Sequence, residues 1–324
     1  MAIYSVMIRL VLALVSCCIS STLMAQDWPT KPARLLVPWG AGSPPDISSR
    51  VLAEKLSLSL GQPVVVENRP GAIGTVALTE LLRQPADGYT LYNFGMPISA
   101  APALLPRANI DFAKDIAPVG QYDWTFSVLV VNPSVQAKNT SELIELLRAR
   151  PNQMSFASGG HGTPAHLAGE LFKLQHKVSA SHVPYNQFPQ AMADLWTGRV
   201  DFMFLTSVVA VPSVGSGKLR ALAVLTENRL PALPNVSTLA EQGFKDFDVR
   251  SWDGFVVRAG TPRPIIDRLN RELNNVVGLP DVRERFGSLG MEAVTGTPEQ
   301  FGALIKTEAD RWGQVIRNAK VKID

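Results

Sequence analysis

Arg34-Leu35-Leu36-Val37-Pro38-Trp39-Gly40-Ala41-Gly42-Ser43-Pro44-Pro45-Asp46 holds a strand, a glycine-bearing loop and a helix start in one short run. Arg34–Pro38 has the leucine and valine run of a buried strand. Beyond the loop, Ile47, Val51, Leu52, Leu56 and Leu60 recur at helical spacing, which predicts a helix over Asp46–Leu60. A strand that feeds a helix through a short loop is the repeating unit of a parallel α/β sheet. The unit continues with a strand at Val64–Glu67, a helix at Thr75–Leu82 and a strand at Tyr89–Phe94. Pro85, Asp87 and Gly88 supply the turn before that last strand.

The pattern then restarts. Strands are predicted at Ser127–Val131, Met154–Ala157, Ser181–Tyr185, Val200–Leu205 and Leu219–Leu225. Helices fall between them at Ser141–Arg148, Pro164–Lys173 and Pro189–Trp196. After a strand at Gly254–Arg258 the chain is helical, over Pro262–Val277, Pro280–Leu289 and Pro298–Ala319. Thr261-Pro262 and Thr297-Pro298 have the cap-then-proline form that opens helices. Two successive α/β sets imply two lobes. The expected division is residues 26–125 with 226–324 in lobe 1 and 126–225 in lobe 2. Hinge crossings are expected near 122–128 and 222–255, since no charged or low-complexity linker separates the sets.

With 46% hydrophobic residues the chain of 324 can bury two cores, and its net charge of only +3 comes from scattered Lys and Arg. Nucleic-acid binders gather such residues into a patch or stripe, so no nucleic-acid partner is expected. Arg9, the run Leu10–Val15 and the small residue Ala25 form a secretory signal, predicted to be cleaved after Ala25. The run is too short to span a bilayer. A lipoprotein signal ending at Cys17 is the alternative, because Leu14-Val15-Ser16-Cys17 has lipobox form. Cys17 and Cys18 are both in this leader, so the mature chain has no disulfide and no cysteine nucleophile. A periplasmic location follows from the leader.

In open α/β sheets, ligands sit beyond the carboxyl ends of strands. Two loops fit that place. Trp39, Gly40, Ala41, Gly42 and Ser43, with Asp46 behind them, follow the first strand; Ser158, Gly159, Gly160, His161, Gly162 and Thr163 occupy the equivalent position in the second set. Glycine lets backbone amides approach a ligand, and a helix N-terminus favours an anion. Ser99, Thr206, Ser207 and Asp253 complete the candidate set. Asp253 would favour an amine or several hydroxyls beside a carboxylate, or else is a turn residue before Gly254. Trp39 and Trp252 either floor the pocket or belong to the hinge-side core.

Other chemistries find less support. Gly40-Ala41-Gly42 is followed by Pro45 where a dinucleotide fingerprint needs glycine, and Gly215-Ser216-Gly217-Lys218 lacks the rest of a P-loop. His161 and His166 are five apart, so a metal site would need carboxylates from elsewhere. Neither a metal nor a cofactor is expected. No Gly-x-Ser-x-Gly elbow and no acid–base constellation is present, so the expectation is not an enzyme.

Val37–Asp46 followed by Arg50 resembles the opening signature of the tripartite tricarboxylate transporter receptors, the Bug family. Val65–Gly71, Pro85–Leu91, Gly162-Thr163-Pro164, Val183-Pro184-Tyr185 and Gly198-Arg199-Val200-Asp201 resemble later motifs of that family. So do Gly217–Val224, Pro231–Pro234 and Ala259–Pro262, in order along the mature chain. The resemblance implies a monomeric α/β clamshell of the type II-like periplasmic-binding-protein kind, each lobe a mainly parallel sheet flanked by helices. It implies a small organic carboxylate held between Trp39–Ser43 and Ser158–Thr163 by backbone amides and bridging waters. It also implies delivery to the membrane permease subunits of a tripartite transporter; signalling to a membrane sensor kinase is the alternative. The chain departs from the pattern at Ser43, at Pro44-Pro45 (which remove two amide donors), at Ala72-Ile73, at Leu205 and at Asp253.

Overall fold

The computed structural model describes residues 28–319 except 245–246 and 248–249. The predicted leader, with Cys17 and Cys18, lies outside the described residues. Among those that are described, no helix is long and apolar enough to cross a membrane.

Lobe 1 begins with β1 (Ala33–Val37), α1 (Pro44–Leu60), β2 (Val64–Asn68), α2 (Thr75–Arg83) and β3 (Thr90–Gly95). β1 pairs in parallel with both β2 and β3. Three short helical turns follow: α3 (Met96–Ser99), α4 (Ala101–Leu104) and α5 (Phe112–Asp115). The long strand β4 (Ile116–Val131) then leads into lobe 2.

Lobe 2 contains α6 (Thr140–Ala149), β5 (Ser155–Ser158), α7 (Pro164–His176), β6 (Ser181–Pro184), α8 (Phe188–Thr197), β7 (Phe202–Thr206), α9 (Ser207–Gly215) and β8 (Arg220–Val224). β5 is parallel to β6 and β7. The chain returns through β9 (Arg250–Arg258) to α10 (Arg263–Gly278), α11 (Pro280–Ser288), β10 (Met291–Ala293) and α12 (Pro298–Ala319).

β4 belongs to both sheets. Its first part, 116–126, pairs antiparallel with β9, and Ser127–Val131 pairs antiparallel with β7. β8 and β10 attach to it as well. The sequence pattern reveals only the Ser127–Val131 half. Register shifts at Pro118/Gly120 and Gln121/Asp123 mark bulges, and bulges break the two-residue alternation by which a strand is read. α9 is likewise unforeseen: it starts directly at the end of β7 and contains Pro212.

The stretch after β8 packs on lobe 2, not on lobe 1 where the sequence division places residues from 226 onward. Leu239 N donates to Val224 O, Gln242 Nε2 donates to Leu222 O, and Phe247 stacks 5.8 Å from Phe204. The return crossing therefore falls late in the expected 222–255 window.

Each sheet is covered on both faces. On one side of lobe 1, Leu52 and Leu56 of α1 meet Leu269 and Leu273 of α10, over Leu35, Val37 and Phe255. On the other, Leu78 and Leu81 of α2 and Phe301 and Trp312 of α12 cover Tyr92, Phe94 and Trp252. Burial of each such side chain contributes about 1.5–3 kcal/mol. Trp252 is fully buried, stacked 6.0 Å from Phe94, so it belongs to this core. Of the two cap-then-proline signals, Thr297 makes a reciprocal capping box with Gln300. Thr261 instead gives its hydroxyl to Arg258 O, and Pro262 stands at the cap.

Candidate ligand site between the lobes

A cavity of about 520 Å³ lies between the lobes, and the carboxyl ends of the parallel strands discharge into it. Trp39, Gly40 and Ser43 follow β1, and Gly159, Gly160, His161 and Thr163 follow β5. Thr206 ends β7, and Asp253 of β9 lies on the wall.

The two glycine loops are folded alike. In the first, Ser43 N donates to Gly40 O, Gly42 has φ +77°, and Gly42 N donates to Asp46 Oδ2 at 2.9 Å. In the second, Thr163 N donates to Gly160 O, Gly162 has φ +77°, and Gly162 N donates to His166 Nδ1 at 3.1 Å. Ser43 and Thr163 are both extended caps, and a proline opens each following helix. The repeated device is Gly-Ser/Thr-Pro-x-acceptor, with the acceptor side chain tying the loop back to the helix. A left-handed glycine makes each turn free of Cβ strain.

This geometry sorts the candidates. Asp46 and Ser158 build the loops and do not line the cavity. Asp46 also accepts from Asn68 Nδ2 at 2.8 Å and Arg50 Nε at 3.0 Å; these partners outweigh burial and hold its carboxyl below the usual range. Ser158 Oγ donates to Gly160 O and bonds His182 Nε2 at 2.7 Å. Ala41, Gly42 and Gly162 are not on the cavity wall. Neither is Ser99, buried with its hydroxyl on Met96 O, nor Ser207, whose Oγ accepts from Phe126 N. Trp39 Nε1, Ser43 Oγ and His161 Nδ1 are buried without a hydrogen-bond partner. Buried polar groups are almost always paired, so these three atoms at the cavity are suited to a polar ligand.

The sequence reading did not find several wall residues. Pro70–Ile73 follow β2, Pro97 follows β3, and Asn186, Gln187 and Phe188 follow β6. Thr125, Met203 and Ser251 line it from the strands themselves. The available signal was the carboxyl-end rule applied to every parallel strand, not only to those with glycine loops. Ala72 and Ile73 are held at φ 44° and 53°, uncommon for side-chain-bearing residues and typical of functional loops.

His161, His166 and His182 bring their ring nitrogens within 4.8 Å of one another. The third group near the pair is thus an imidazole from β6, not a carboxylate. Two rings are already committed. His166 Nδ1 accepts the Gly162 amide, which fixes its proton on Nε2. Metal ligation through Nε2 would force a proton against that N–H, and ligation through Nδ1 would displace it. The arrangement braces the loop in the neutral state. Burial lowers the His166 pKa from 6.5 to about 4, with His161 and Lys173 adding to the shift and Glu170 opposing it. The folded state then favours the neutral ring, while the unfolded chain takes up a proton below 6.5. The contribution is complete above pH 6.5 and is lost as pH falls towards 4, by about 3 kcal/mol. Chemical denaturation across that window is expected to show the loss, and His166→Gln to flatten the profile. An identical slope in the variant would refute the assignment.

Asp253 and Asp123 lie opposite each other on β9 and β4. Asp253 N donates to Asp123 Oδ1 at 2.9 Å, while Asp123 Oδ2 is buried and unpartnered. Burial raises both carboxyls, Asp253 to about 7, and the Asp253 charge raises Asp123 further. Asp253 is in mid-strand and not in a turn.

The family model for tripartite tricarboxylate transporter family receptors matches residues 48–321. Protein BugT of Bordetella pertussis is 34% identical over 307 residues, covering 94% of each chain. The solved structure of the periplasmic binding protein BugD superposes with a TM-score of 0.87 at 31% identity, over 91% of this chain and 99% of that one. An R. palustris protein solved with adipate gives the same TM-score and identity over the same shares. Coverage of nearly the whole of both chains, together with the family match, makes this one fold and one lineage. The chain belongs to the tripartite tricarboxylate transporter receptor family, whose members are solute-binding proteins and not enzymes.

Proposed function

We propose that this receptor works in the periplasm, closes its two lobes on one small organic carboxylate, and hands that ligand to the permease subunits of a tripartite transporter. The observation that carries the reading is the pair of like-folded loops facing one cavity from opposite lobes. Each has committed its glycine amide internally, at Gly42 and Gly162, which stiffens the loop. The carboxylate is assigned to the backbone of Gly40, Gly159 and His161, with Ser43 Oγ and His161 adding side-chain polarity, since the Gly160 amide is already given to Ser158 Oγ. Trp39, Thr163 and Thr206 border the same space. Among the described residues no Lys or Arg lines the cavity, so fixed dipoles and not cations are assigned to the anion. The adipate-bound relative supports a carboxylate as the ligand class.

A thermal-shift screen of mono-, di- and tricarboxylates and their amino and aromatic derivatives tests this. A ligand at a hundred times its Kd adds about 2.7 kcal/mol, which raises Tm by roughly 5–10 °C. If no carboxylate raises Tm, the reading fails.

A further inference from the structure

The cavity wall carries an acid with no opposite charge beside it among the described residues. Asp253 is only 5% exposed, it borders the cavity, and no hydrogen bond to its carboxyl oxygens is found among the described residues. Buried polar groups are normally paired, and a buried charge is normally matched by an opposite one. Its place is built, not accidental. Gly95 of β3 sits opposite Asp253 in the sheet, and a Cβ at position 95 would collide with Asp253 Oδ1. The glycine opens the space into which the carboxyl fits. Behind it, Asp123 holds the Asp253 amide and adds a second acidic group. Tyr122 on β4, which feels the Asp253 charge, and His161, which lines the same cavity, are further titratable groups here, and neither supplies a fixed positive charge.

A ligand that enters this cavity therefore meets neutral dipoles at the loops and a carboxylate on the wall. A dianion would bring its second charge into a site that has no Lys or Arg among the described residues and already holds an acid. A zwitterion satisfies both ends: its carboxylate takes the loop amides and its ammonium takes Asp253, with charge-assisted hydrogen bonds in a partly dry site.

We infer that the receptor selects small amino acids or ω-amino carboxylic acids, with Asp253 as the ammonium-binding and specificity-determining residue and Gly95 as the residue that makes room for it. The inference rests on the carboxylate-receptor reading and narrows it.

The test is a calorimetric ladder on the intact mature protein at pH 8. Straight-chain dicarboxylates, ω-amino acids and monocarboxylates of matched length are compared, along with the common α-amino acids. The expected result is that at least one amino-bearing acid binds tenfold or more tightly than the dicarboxylate and monocarboxylate of equal length. Asp253→Asn, an isosteric change, is expected to erase that preference, weakening the amino-bearing acid tenfold or more and binding the dicarboxylate of equal length no more weakly than the wild type does. A dicarboxylate that outbinds its amino counterpart in the wild type overturns the inference and leaves the carboxylate receptor standing. Amino-acid binding unchanged in Asp253→Asn overturns it too. Silence across every class overturns the inference together with the receptor reading.

Discussion

Gly162→Val is expected to weaken ligand capture roughly 30- to 100-fold while each lobe keeps its sheet. Two physical terms act at this position. A branched side chain at φ +77° is strained by about 1–2 kcal/mol or more, which disturbs the turn that presents the loop amides. The second term acts across the cleft. A Cβ at 162 would come within 2.7 Å of Leu104 Cδ1 and 3.4 Å of Ile73 Cδ1, both on the opposite lobe. Overpacking of that kind costs about 1–3 kcal/mol, and each 1.4 kcal/mol is tenfold in affinity. The valine thus works as a wedge against closure. Titration calorimetry gives the affinity, and small-angle scattering should show a more open particle that ligand no longer compacts. Wild-type affinity in the variant would remove the second loop from the site.

Asp253→Asn is expected to stabilise the ligand-free protein at pH 8 by roughly 2–4 kcal/mol and to leave its stability near pH 4 almost unchanged. Burial raises both carboxyls of the pair above their unfolded values, and the Asp253 charge raises Asp123 further. The folded state favours the protonated form. That contribution is intact below pH 3.8 and is lost as pH rises through about 7, when the Asp253 charge is confined beside Asp123 without a cation. An amide at 253 removes that charge. Urea denaturation at pH 4 and pH 8 reads the difference directly. A variant that is no more stable at pH 8 than the wild type would mean that the pair is not strained.

Much of the positioning of this site was legible in the sequence. Strand–glycine loop–helix units at residues 34–60 and 154–173 predict the two loops, and the structure folds both as predicted β/α turns. The internal likeness went further than the glycine count shows: Gly42-Ser43-Pro44-Pro45-Asp46 and Gly162-Thr163-Pro164-Ala165-His166 share one hydrogen-bond plan. Asp46 looks like a ligand contact in the sequence because it stands at a helix start. Its bonds to Gly42 and Asn68 could be known only in three dimensions.

What escaped the sequence has a common cause. His182 joins His161 and His166, and Asp123 joins Asp253, through strand pairing between distant segments. No local spacing encodes those encounters. Pro70–Ile73 and Asn186–Phe188 reach the cavity because β2 and β6 lie parallel to β1 and β5, again a fact of pairing. The first part of β4 was hidden by its own bulges.

That shared strand binds the two lobes to a common fate. Antiparallel partners grip β4 on lobe 1 through β9 and β10, and on lobe 2 through β7 and β8. Neither half of the molecule owns a complete sheet without it. Melting of one lobe strips a central strand from the other, so calorimetry should record a single heat-absorption peak instead of two. Expression of the halves as separate fragments should yield chains that aggregate alone and assemble only when refolded together.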